Sequence, residues 1–112
     1  MFTRVHASDL VTGSGRTARF EGKDHSSGVS FFLVDNDPGQ GPGLHRHPYT
    51  ETWVVRAGSA TILADGERIE AVAGDILTVA AGTAHKFTNS GDGRLEMVCI
   101  HASPRMIQEN LE

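Results

Sequence analysis

A single cysteine, Cys99, in 112 residues leaves no partner for an intrachain disulfide and too few thiolates for a zinc cluster. Any metal held here must take nitrogen and oxygen donors. Long apolar runs are also missing. No stretch approaches the length that spans a bilayer, and the N-terminal MFTRVHASDLVTG lacks the apolar centre of a secretory signal. The expected setting is the cytoplasm, away from membranes. A basic cluster is equally absent: 14 acids outweigh 10 Lys and Arg for a formal net charge of -4, which removes the electrostatic case for nucleic acid. The partners expected are small molecules, with any anion relying on a local site.

What is present describes a folded chain. With 38% hydrophobic and 21% charged residues the composition is that of an ordinary globular protein, and the length suits one domain, residues 1–112. Thirteen glycines punctuate short runs of strand-forming residues, the spacing of an all-β sandwich or barrel. SGVSFFLVD (Ser27 to Asp35), ETWVVRAG (Glu51 to Gly58), DILTVAAG (Asp75 to Gly82), HKFTN (His85 to Asn89) and RLEMVCIHA (Arg94 to Ala102) read as strands. Asp65-Gly66 joins two alternating segments between Ser59 and Val72, the hairpin signal of a turn with positive φ at both central residues. Only the end looks helical: Ser103 can cap, Pro104 suits the first turn, and Ile107 and Leu111 lie four apart.

GLHRHPYTE, Gly43 to Glu51, carries the chemistry. In a strand His45 and His47 point the same way, with Cα atoms about 6.5 to 7 Å apart, a gap that suits two nitrogens each about 2.1 Å from one ion. Glu51 has the same parity, and a bend near Pro48 would swing its carboxylate toward the same point. By itself the segment admits both a metal site and a polar turn.

The spacing extends further. Gly39 is followed by five residues, His45, one residue, His47, three residues, Glu51, six residues and Gly58. After fifteen more come Gly74, five residues, Ala80, one residue, Gly82, two residues, His85, three residues and Asn89. This pattern resembles the two motifs of the cupin superfamily, here at 39–58 and 74–89, with Ala80 standing where the family usually has proline. The resemblance implies a cupin-type antiparallel jelly-roll β-barrel of six to eight strands. It also implies one divalent ion per chain, held by His45, His47, Glu51 and His85. Proline at position 80 is a backbone device, so its replacement touches the turn before His85 and no ligand.

Other residues are read from strand parity. Trp53 shares parity with Glu51, and Phe87 with His85, so both are pocket candidates beside the ion. Leu95, Met97, Cys99 and His101 share one face; Cys99 is read as facing the lumen without ligating, and His101 as a packing or surface residue near the rim. Tyr49, at the bend, is either a pocket residue or exposed. Asn89 is read as holding backbone at the strand end, and His6 and His25 as solvated.

Three imidazoles and a carboxylate suit Fe, Mn, Ni, Co, Cu or Zn, and on an octahedral ion they leave two positions open. Iron or manganese fits the dioxygenase or oxidoreductase activity that the resemblance implies. An isomerase or lyase would need a positioned general base, evident only if Tyr49 or His101 turns inward. A non-catalytic metal- or ligand-binding module is the third reading. The apolar strand Ser30 to Val34 and the N-terminal segment leave a sheet edge to protect, so a homodimer is expected.

Overall fold

The computed structural model describes residues 1–112, and its short apolar–polar alternations form strands. They are β1 (Ala18–Phe20), β2 (Ser30–Asn36), β3 (His45–Arg46), β4 (Glu51–Ala57), β5 (Ser59–Ala64), β6 (Glu67–Val72), β7 (Ile76–Val79), β8 (His85–Asn89), β9 (Leu95–His101) and β10 (Glu109–Asn110). Ten strands exceed the expected six to eight because β1, β3 and β10 are pieces of two or three residues. Two five-stranded antiparallel sheets result, ordered β1-β2-β9-β4-β7 and β10-β3-β8-β5-β6. This is the jelly-roll architecture.

Local chemistry sets the corners. The β5–β6 hairpin turns on Asp65 and Gly66, at φ 52° and 76°, the positive-φ pair that matches the twist of the flanking strands. Gly41 serves packing instead: a Cβ there would lie 1.9 Å from the Phe87 carbonyl oxygen, so only glycine lets the 37–43 loop lie on β8. Asn89 fastens the same corner, its side chain donating to the carbonyls of Asn36 (3.1 Å) and Gly93 (2.8 Å).

Alternation fills the interior. On β4 the inward positions are Glu51, Trp53 and Val55; on β9 they are Leu95, Met97, Cys99 and His101; on β8 they are His85, Phe87 and Asn89, all buried. The apolar members, with Ile62 and Ala60 from β5, make one continuous core. Burying each large apolar side chain contributes roughly 1.5–3 kcal/mol, a source of stability separate from the buried polar residues.

Two expectations are corrected. Residues 103–112 form no helix. Ser103 Oγ accepts the Arg105 amide (3.1 Å) in a local turn, and the chain then runs out as β10 against β3, pairing Glu109 with Arg46 and Asn110 with His45. A helix this short is marginal alone, whereas the β3 edge offers backbone partners such as the Leu44 carbonyl, which accepts from the Leu111 amide (2.8 Å). The Ser30 to Val34 run is not an edge either, since β2 is paired by β1 on one side and β9 on the other. No helix is long and apolar enough to cross a membrane.

Candidate metal centre

His45 and His47 lie on and just after β3, Glu51 opens β4 and His85 opens β8. The chain bends at Pro48 and Tyr49, which carries it from one sheet to the other. That switch turns Glu51 back to face the histidines. Register brings in the rest: His45 pairs with His85 across β3 and β8. One donor atom from each of the four residues lies within 4.8 Å of the others, and all four are buried.

Each of the three imidazoles is oriented by a backbone carbonyl. Nδ1 of His45 donates to Gly43 O (2.7 Å), that of His47 to Ile107 O (2.8 Å) and that of His85 to Thr83 O (2.8 Å). A carbonyl can only accept, so Nδ1 carries a proton, and a ring holding that one proton presents a bare Nε2. The Nε2 atoms of His47 and His85 face Glu51 Oε1, at 3.2 Å and 3.1 Å, and a His45 nitrogen lies within 4.8 Å of the same group. An ion with bonds of about 2.1 Å places ligands at right angles roughly 3.0 Å apart, close to both separations. Nε2 of His47 is buried without a well-aligned hydrogen-bond partner. Lone pairs aimed at a carboxylate repel unless a positive charge lies between them, so the donor set fits a divalent cation.

The second carboxylate oxygen is separately held. Glu51 Oε2 accepts from Trp53 Nε1–H (2.7 Å) and lies 3.3 Å from His101 Nε2. Burial alone would raise the Glu51 pKa, but hydrogen bonds from His101, and from His47 and His85 whenever their Nε2 carries a proton in place of an ion, outweigh it and hold the carboxyl far below its usual range. Burial lowers the His45 pKa. For His47 burial acts the same way, yet the Glu51 carboxylate and the Ile107 carbonyl outweigh it, and the net shift is upward. Burial, with the nearby charge of Glu51, pushes the Cys99 thiol well up, so it stays protonated and is not a thiolate donor.

A cavity of about 560 Å³ opens onto the site, with Phe87, Cys99, Phe32 and Val34 as apolar walls and Arg16 and Gln40 further out. Phe87 and Cys99 thus line it. Trp53 and Tyr49 do not. Trp53 stacks edge-on against His85 and Phe87, and Tyr49 lies behind His101 with its hydroxyl 2.6 Å from His101 Nδ1. His101 departs from the expected place near the rim: it is buried, 2% exposed, on the cavity wall. Its parity with Cys99 already pointed it inward, but the β4–β9 register that sets it opposite Glu51 is a tertiary fact.

A two-sheet antiparallel barrel with a buried His₃Glu cluster at one end defines a class of metal-binding β-barrel. The chain matches the cupin domain family over residues 32–101 and belongs to it. Its fold is similar to solved structures of an oxalate oxidase (TM-score 0.74, 22% identity, covering 85% of this chain and 54% of that one). It is also similar to the Lactobacillus farciminis oxalate decarboxylase (TM-score 0.82, 22% identity, 95% and 35%). A third likeness is to the Bacillus subtilis oxalate decarboxylase with its Mn(II) centers (TM-score 0.77, 23% identity, 91% and 29%). The chain spans about half or less of the length of each of these proteins.

Proposed function

We propose that this cupin is a mononuclear metal-dependent oxidoreductase of the dioxygenase kind, acting on a small organic molecule held in the barrel, with His45, His47, Glu51 and His85 as ligands. The carrying observation is the convergence of bare imidazole nitrogens on Glu51 Oε1. Iron or manganese suits the reading best, and when bound would supply redox chemistry with two exchangeable positions. The chain itself supplies three things. The carbonyl-anchored histidines fix the donors before any ion arrives. Phe32, Val34 and Phe87 exclude water and favour a substrate with an apolar or planar body. Arg16, at the mouth, is already paired with Asp35 (3.2 Å) and Asp37 (2.7 Å), so it offers little to a dianion.

Oxygen uptake by iron- or manganese-loaded protein over a panel of catechols, enols, diketones and flavonols tests the reading. Turnover of at least one is expected. Binding without turnover under any metal would overturn it in favour of a non-catalytic ligand-binding module.

One observation favours an isomerase or lyase as the second reading: His101 faces inward with Tyr49 behind it. Both nitrogens of His101 are nevertheless engaged, with Tyr49 and Glu51. It therefore lacks the free lone pair of a general base, and the oxidoreductase reading ranks first. A cytoplasmic setting and a homodimer complete the proposal. The dimer rests on Ile69, Val72 and Ile76, exposed on the edge strands β6 and β7. Sedimentation as a 12.0 kDa species at micromolar concentration would contradict the dimer.

A further inference from the structure

We propose that His101 is a positioning residue of the metal centre: with Trp53 it holds Glu51 Oε2, so that Glu51 presents only Oε1 to the ion. The proposal rests on the metal reading above and extends it to a residue outside the four ligands. The β4–β9 register sets His101 directly opposite Glu51. Trp53 Nε1–H donates to Oε2 at 2.7 Å, and His101 Nε2 lies 3.3 Å from the same oxygen. Oε1 is left facing the Nε2 atoms of His47 and His85. A carboxylate with both oxygens free can rotate to grip an ion with the pair. Donors on Oε2 oppose that rotation and keep a coordination position open for substrate.

Hydrogen-bond logic fixes the direction of the His101 contact. The Ile107 amide donates to the Tyr49 hydroxyl (3.3 Å), which leaves the phenolic proton for His101 Nδ1 at 2.6 Å. With Nδ1 accepting, the ring proton sits on Nε2, the nitrogen 3.3 Å from Oε2. The carbonyl of the same Ile107 accepts from His47 Nδ1 (2.8 Å), which leaves that ring's Nε2 bare. One residue of the C-terminal segment thus sets two imidazoles to opposite tautomers, His47 to ligate and His101 to donate. Since its Nε2 carries a proton in this tautomer, His101 is not a fifth ligand.

The test compares wild type with His101→Phe, His101→Gln and Tyr49→Phe, measuring Mn(II) affinity by calorimetry and coordination number from the visible spectrum of Co(II)-loaded protein. His101→Phe should bind Mn(II) about 10- to 100-fold more weakly and shift the Co(II) spectrum. His101→Gln, which keeps an N–H donor, should recover most of both, and Tyr49→Phe should move both the same way by less. If His101→Phe fails to fold, Tyr49→Phe carries the test through the same two readouts. A wild-type protein that takes up metal while His101→Phe or Tyr49→Phe matches it in affinity and spectrum overturns the positioning role and leaves the metal reading standing. A wild-type protein that takes up neither ion overturns both.

Discussion

The two ends of the barrel interior are built on the same strands with opposite chemistry. Along β4 the inward face runs from Glu51 through Trp53 to Val55, and along β9 it runs from His101 through Cys99 and Met97 to Leu95. One end is a buried polar cluster of four histidines and a glutamate; the other is apolar apart from Asn89. Side-chain alternation makes this division possible. Each strand contributes to a stabilising core and to a reactive site on one face, with Trp53 at the border serving both through its ring and its N–H. Stability and chemistry should therefore separate by position along the strand.

Substitutions at the two ends should break this comparison in opposite ways. Leu95→Ala, at the apolar end, removes a fully buried side chain and should cost about 2–5 kcal/mol in denaturant unfolding, while the folded fraction binds metal as before. His47→Ala should weaken Mn(II) binding more than about 100-fold, beyond what loss of an orienting partner costs, with the circular-dichroism melt of the apoprotein little changed. Trp53→Phe keeps an aromatic side chain but a smaller one, and removes the donor to Oε2, so it should affect both ends: about 1–3 kcal/mol of stability and about 10-fold in metal affinity.

Acidity acts on the polar end alone. The folded-state pKa of His47 is raised above 6.5, so the proton competes with the ion already above that pH. Calorimetric metal affinity should fall as pH is lowered from about 8 toward 6, and a pH-independent affinity would contradict the ligand role. The smallest effect expected is that of Ala80→Pro. Ala80 O accepts the Thr83 amide in the turn before His85, and proline there keeps that acceptor. A gain of about 0.4–1 kcal/mol in the melt is expected, with unchanged metal affinity.

The polar end was legible where its parts are local in sequence. His45, His47 and Glu51 lie within seven residues, so strand parity and one bend near Pro48 relate them, and the second motif supplies His85 at a fixed distance. His101 is fifty residues from Glu51, and only the cross-strand register joins them. Its parity was visible; its partner was not. The C-terminal segment was misread because Ser103-Pro104 carries a helix-start signal that a local turn satisfies equally well. What decided the outcome was the unpaired edge of β3, a feature no window around residue 107 contains. Ile107 then acts through its backbone, holding Tyr49 and His47 by groups that every residue type except proline carries.

Elemental analysis of wild type and His47→Ala, both purified without added metal and then dialysed against Mn(II), tests the metal centre most directly. Wild type should hold one divalent ion per chain and His47→Ala close to none, with both folded. Equal metal content in the two proteins, or a wild type that retains no ion, would contradict a site built on His45, His47, Glu51 and His85.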